Sequence, residues 1–162
     1  MARILVVEDS SAVRAFVRAA LEDAPALFPT GTSESADTVE VVEAASGFDA
    51  LRLLPRAHYD LVITDINMPD INGLELVRFI RESERHRIVP VIIISTQSSE
   101  KDRARGLALG ADFFLAKPFT VESLRKAVEM LIQGRSEAHA ATPTLPSAAP
   151  QESAASNSEG SR

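Results

Sequence analysis

Glu8, Asp9, Asp65, Ser95 and Lys117 each stand just past the end of a short apolar run. Ile4-Leu5-Val6-Val7 leads into Glu8 and Asp9, and Leu61-Val62-Ile63-Thr64 into Asp65. Val91-Ile92-Ile93-Ile94 leads into Ser95, and Phe113-Phe114-Leu115-Ala116 into Lys117. If the first and third runs are neighbouring strands, about 4.8 Å apart, the carboxylates crowd together and raise one another's pKa. A hard divalent cation relieves that repulsion, and Mg²⁺ takes oxygen ligands from one or two carboxylates together with water and phosphate. An aspartate facing such an ion can act as a nucleophile toward phosphorus. The phosphoryl oxygens then need positive charge and donors, which a Lys117 ammonium and a Ser95 hydroxyl supply. Thr96 is the register alternative to Ser95, because a one-residue slip reverses which side chain faces the site.

The elements that must position these groups follow an alternating pattern. Strands are predicted at Arg3 to Val7, Thr38 to Ala44, Asp60 to Thr64, Val91 to Ser95 and Asp112 to Ala116. Their near-continuous apolar, largely β-branched character is that of buried parallel strands. Between them, apolar residues recur at helical spacing: Val13, Phe16, Val17 and Leu21; Leu51 and Leu54; Leu74, Val77, Phe79 and Ile80; and Leu107. After the last strand come Leu124, Val128, Leu131 and Ile132. Ser10 or Ser11 can cap the first helix, and Thr120 with Ser123 can begin the last. Repeated βα units imply an α/β fold, a doubly wound parallel sheet with right-handed crossovers. Ligands of such sheets bind beyond the carboxyl ends of the strands, where the reactive residues fall.

The 162 residues suit one domain, and the absence of cysteine removes disulfides and thiolate metal sites. A net charge of -6 argues against non-specific DNA binding. No apolar run reaches membrane-spanning length, and the first is too short for a signal peptide, so membrane insertion is not expected and a cytoplasmic location is. Residues 22–37, with two prolines and many small polar residues, exceed the usual length of an αβ connection. They read as an insertion, or as a partner-binding loop using Leu27 and Phe28. The domain is expected to span residues 1–133, followed by an Ala/Ser/Pro-rich tail, 134–162, too poor in large apolar residues to fold.

Glu8-Asp9, Asp65 with the stretch from Asn67 to Leu76 (NMPDINGLEL), Ser95 and Lys117-Pro118-Phe119 together resemble the receiver domain of bacterial two-component response regulators. The resemblance covers residues 1–133 and implies a CheY-like, flavodoxin-like sheet of five strands in the order 2-1-3-4-5. It implies that Asp65 is the phospho-acceptor, and that Asp9, Asp65 and the backbone carbonyl of Asn67 hold Mg²⁺, with Glu8 acting partly through water. Lys117 would pair with the phosphoryl group, Ser95 would be the switch hydroxyl, and Lys117-Pro118 would be a cis peptide. The aromatic switch position falls on Phe114, which lacks a tyrosine hydroxyl, and Glu8 stands where many receivers have Asp. The implied partners are a histidine kinase or histidine phosphotransfer protein, and a protein effector docking on the face made by the fourth helix, fifth strand and fifth helix.

The expected function is therefore a stand-alone response regulator, a switch rather than a turnover enzyme, with no direct nucleic-acid contact because no output domain follows Gln133. A phosphatase of the haloacid dehalogenase type would also use an aspartate nucleophile with Mg²⁺. It wants a second aspartate two positions on, where Asn67 cannot ionise. A flavin or nucleotide carrier would need a phosphate cradle after the first strand, where Glu8 and Asp9 repel phosphate. Effector and phosphorelay intermediate are not distinguished by the residues, nor are the kinase and the pathway.

Overall fold

The chain alternates strand and helix as its apolar pattern predicts. In a computed structural model that describes residues 2–23, 39–96 and 99–140, the strands are β1 (Ala2–Val7), β2 (Val39–Ala44), β3 (Leu61–Asp65), β4 (Val91–Ser95) and β5 (Phe113–Ala116). The helices are α1 (Ser11–Glu22), α2 (Gly47–Leu53), α3 (Gly73–Glu82), α4 (Glu100–Ala108) and α5 (Val121–Ala140), and a 3₁₀ turn at Leu54–Arg56 follows α2. All strand pairs are parallel, and the order is β2-β1-β3-β4-β5. Leu27, Phe28 and most of the long connection, Thr38 at the predicted start of β2, and residues 141–162 lie outside the described residues.

The central strands bury both faces, at Ile4 to Val7 of β1 and throughout β3 and β4, which explains why each is a run rather than an alternation. The edge strand β2 carries Glu40 and Glu43. Ile4, Val6, Leu61, Ile63, Ile92 and Ile94 pack on one side with Val17 and Leu21 of α1 and Leu124 and Val128 of α5. Leu5, Val7, Val62, Val91, Ile93 and Phe114 pack on the other with Ala50 of α2 and Leu76, Val77 and Ile80 of α3. The helix α4 joins that second side through Gly106, where an added Cβ would lie 2.9 Å from Ile93 Cδ1.

Local signals fix the helix starts. The Ser10 hydroxyl accepts from Val13 N at 3.4 Å, and Asn72 and Glu75 form a reciprocal capping box at α3. Before α5, Thr120 N donates to Ser123 Oγ and Ser123 N to Thr120 Oγ1, at 3.0 and 3.1 Å. Two strand starts fall one residue later than predicted, at Leu61 and Phe113, because Asp60 and Asp112 act as end pieces. The Asp60 carboxylate accepts from Arg3 N, and that of Asp112 from Val91 N, each at 2.8 Å. The last helix continues to Ala140, past the predicted domain end at Gln133. Among the described side chains, Leu131 and Ile132 are the last apolar residues against the core, and no proline interrupts the sequence until Pro143.

Candidate functional site

The parallel register brings the strand ends level. Val7 lies opposite Thr64, Asp65 opposite Ile94, and Ser95 opposite Ala116. The residue following β1 is Glu8, whose amide donates to Ala44 O at 3.0 Å, so the chain leaves the sheet already anchored. Asp65 is the last residue of β3, and the turn after it passes so close that a Cβ on Gly73 would fall 2.0 Å from Asp65 O. Only glycine fits there, and Gly73 N closes the turn on Ile66 O at 2.9 Å. Lys117 follows β5; its amide donates to Ser95 O at 2.8 Å, and its bond to Pro118 is cis.

Glu8, Asp9, Asp65 and Lys117 meet. Carboxylate oxygens of the three acids all lie within 4.8 Å of one another. Lys117 Nζ stands 2.9 Å from Glu8 Oε2 and 3.3 Å from Asp65 Oδ2. Glu8 is 1% exposed and Asp65 5%, whereas Asp9 is open to solvent. Burial pushes the Glu8 carboxyl upward, and Lys117 and the Ser10 amide only partly restrain it. Burial alone would lower the Lys117 ammonium, but its bonds to Glu8 and Asp65 outweigh that and hold it above its ordinary value. The buried Asp65 Oδ1 has no hydrogen-bond partner.

Lys117 thus pairs with two of the three clustered acids, and one buried carboxylate oxygen is unsatisfied, a costly state in a low-dielectric site. Hard oxygen donors with an orphaned carboxylate oxygen among them fit Mg²⁺, which prefers oxygen and keeps part of its water shell. Ser95 is fully buried and Thr96 exposed, so the first of the two hydroxyls is enclosed by the fold. Asn67 sits exposed in the turn after β3. Phe114, 6% exposed, packs on the α3 side of the sheet, its ring Cδ2 3.7 Å from where a Gly106 Cβ would lie.

Two features of this rim were not found from the sequence. Arg14 Nη1 donates to the backbone carbonyls of Glu8 and Asp9, at 2.7 and 3.2 Å. Phe16 meets Phe119 edge to face at 5.7 Å, beside a cleft of about 500 Å³ lined by Ala12, Val13, Thr96, Lys117 and Pro118. A signal for the first was available: Arg14 is a cation in the opening turns of a helix, where the dipole disfavours one.

Among curated proteins, chemotaxis protein CheY1 of Helicobacter pylori is 30% identical over 131 residues, covering 80% of this chain and 96% of its own. The KDP operon transcriptional regulatory protein KdpE of Escherichia coli is 34% identical over 145 residues, covering 90% of this chain and 57% of its own. The chain spans about half the length of the transcriptional regulators it matches. Among solved structures, CheY4 of Vibrio cholerae superposes with a TM-score of 0.70 at 33% identity, over 81% of this chain and 98% of that one. The receiver domain of the sensor histidine kinase PA1611 of Pseudomonas aeruginosa, which has a magnesium ion coordinated in its active-site cleft, superposes at 0.68 with 28% identity. It covers 82% of this chain and 98% of its own. The family model of the response regulator receiver domain matches residues 4–129, and the chain belongs to that family, whose general function is to accept a phosphoryl group in two-component signalling.

Proposed function

We propose that Asp65 accepts a phosphoryl group from the phosphohistidine of a histidine kinase or histidine phosphotransfer protein. The observation that carries this is the buried, unpartnered Asp65 Oδ1 beside Lys117 and two further carboxylates. Asp9, Asp65 and the Asn67 carbonyl would hold Mg²⁺, with Glu8 acting partly through water. Bound there, the ion supplies positive charge against the carboxylates and the phosphoryl oxygens.

Asp65 Oδ1 attacks phosphorus; the new O–P bond forms as the P–N bond breaks, and its electron pair stays on the imidazole nitrogen. Lys117 turns from Glu8 and Asp65 to the phosphoryl oxygens as charge arrives there. Ser95 then donates to a phosphoryl oxygen, the end of β4 moves inward, and Phe114 occupies the space released. Phe114 touches the neighbourhood of Gly106 in α4, so its movement reaches the α4-β5-α5 face, where a protein effector docks. The chain is a switch and not a turnover enzyme on an external substrate. The receiver comprises residues 1–133 and works in the cytoplasm, where the chain's net charge of -6 disfavours direct contact with nucleic acid. Among the described residues, no helix is long and apolar enough to cross a membrane.

Incubation with a small acyl-phosphate donor tests the reading. Wild type should gain a hydroxylamine-labile phosphate only with Mg²⁺, and Asp65→Asn none, because an amide is a poor nucleophile. A labile phosphate that persists in Asp65→Asn would refute the assignment.

A further inference from the structure

We infer that Arg14 is a positioning residue for the metal-binding turn, holding the backbone of Glu8 and Asp9 so that their carboxylates are presented together. This rests on the reading of Glu8, Asp9 and Asp65 as the Mg²⁺ site.

Arg14 lies in the opening turns of α1, four residues beyond its N-cap Ser10. A cation there opposes the helix dipole, and α1 has no acid in its first turn to compensate. What offsets that placement is the turn immediately before the helix. Its two successive carbonyls, Glu8 O and Asp9 O, both accept from Arg14 Nη1. Charge-assisted bonds of this kind are stronger than neutral ones.

The guanidinium is itself held from the far side. Arg14 Nε lies 3.5 Å from Glu43 Oε1, and Glu43 Oε2 is fixed by Arg18 Nη1 at 2.8 Å. Glu43 belongs to β2, opposite Val6 of β1. A path of polar contacts therefore runs from the sheet through Glu43 and Arg14 to the metal turn. The side chain is 18% exposed, so these contacts are partly shielded from water and salt. The exposed Asp9 carboxylate has little packing around it, so the backbone of the turn sets its direction. Outer-shell partners that orient ligands in this way are worth about 10–100-fold in metal affinity.

The sign of the effect separates positioning from simple charge. As a bare positive charge near the carboxylates, Arg14 would repel Mg²⁺, and removing it would tighten binding. As a clamp on the turn, it aids Mg²⁺, and removing it weakens binding. Calorimetric titration with Mg²⁺ alone, on the full chain, should show Arg14→Ala weakened about tenfold. Arg14→Lys, which keeps the charge but loses the planar fork, should fall between Arg14→Ala and wild type. Glu43→Gln, which frees one side of the guanidinium, should weaken binding less than Arg14→Ala does. Amide NMR shifts of the metal-free Arg14→Ala protein should move at Glu8, Asp9 and Ser10 while those of β3 and β4 stay in place. Unchanged or tighter Mg²⁺ binding in both Arg14 variants would overturn the inference. If Arg14→Ala does not fold, Arg14→Lys decides by the same criterion. Failure of wild type to bind Mg²⁺ would instead strike the underlying reading of the site.

Discussion

The two edges of the sheet use the same residue types to opposite ends. At the amino edge, Asp60 and Asp112 stand just before β3 and β5 and turn their carboxylates onto the backbone N–H of the neighbouring strand. Each also donates its own amide back, to Arg3 O at 2.8 Å and Val91 O at 2.9 Å. Arg81 of α3 adds a bond to Asp112 and reaches the carbonyls of Gly110 and Val89. These carboxylates are tied into the backbone of the neighbouring strand, and they fix the strand starts. At the carboxyl edge, Glu8, Asp9 and Asp65 cluster, Lys117 pairs with Glu8 and Asp65, and the buried Asp65 Oδ1 has no hydrogen-bond partner. Acids tied to backbone N–H groups stabilise a fold; clustered acids with an unpartnered buried oxygen suit a hard cation, as the proposed site requires.

Substitutions should separate the edges. The largest effect is expected at Lys117→Ala, where phosphorylation of Asp65 from a small donor should slow about a hundredfold while the fold persists, read from the rate of labile phosphate formation. Wild-type phosphorylation with a normal conformational response would make Lys117 a surface residue. Asp112→Ala should do the reverse. It strips partners from Val91 N and Arg81 and should cost about 1–2 kcal/mol in urea unfolding, with phosphorylation at the wild-type rate.

A smaller effect is expected at Ser95→Ala. Asp65, Lys117 and the metal ligands remain, so phosphorylation should proceed while its transmission weakens. With beryllofluoride standing in for the phosphoryl group, NMR shifts should still change near Asp65 but much less around Phe114 and α5. If Thr96→Ala gives that pattern and Ser95→Ala does not, the switch hydroxyl is the neighbouring one.

The smallest expected effect is in the response to acid, where the two edges should have opposite signs. At the amino edge His86 is buried beside Arg85 and His58, and burial first, then those charges, lower its pKa. Below the ordinary histidine value the unfolded chain takes up this proton and the folded one resists. His86 therefore subtracts stability as pH falls through that value toward its depressed folded one. At the carboxyl edge burial raises the Glu8 pKa, so the metal-free folded protein binds that proton more readily than the unfolded chain. Glu8 therefore adds stability as pH falls from its raised folded value toward the ordinary carboxylate range. Urea midpoints of His86→Gln and Glu8→Gln against wild type, across pH without Mg²⁺, should differ with opposite slopes. Slopes of one sign would break the comparison.

Much of this arrangement is legible in the chain. Buried parallel strands are continuous apolar runs, and polar residues follow these runs directly, so Glu8, Asp9, Asp65, Ser95 and Lys117 could be placed together on one edge of the sheet. Three things could not be. Asp60 and Asp112 read as strand starts, because a carboxylate bonded across strands leaves no local pattern. Arg14 acts through backbone carbonyls, which every residue has. The helix α4 buries only Gly106, so Leu107 alone marked it, and Leu107 turned out to be exposed.

The most direct test of the account is to locate the phosphoryl group chemically. Phosphorylated protein, reduced with borohydride, should carry homoserine at the site of the acyl phosphate, and peptide mass spectrometry identifies the position. Homoserine is expected at position 65 alone, dependent on Mg²⁺ during phosphorylation. Homoserine at Asp9, or a phosphate that resists hydroxylamine and borohydride and maps to Ser95 or Thr96, would contradict it.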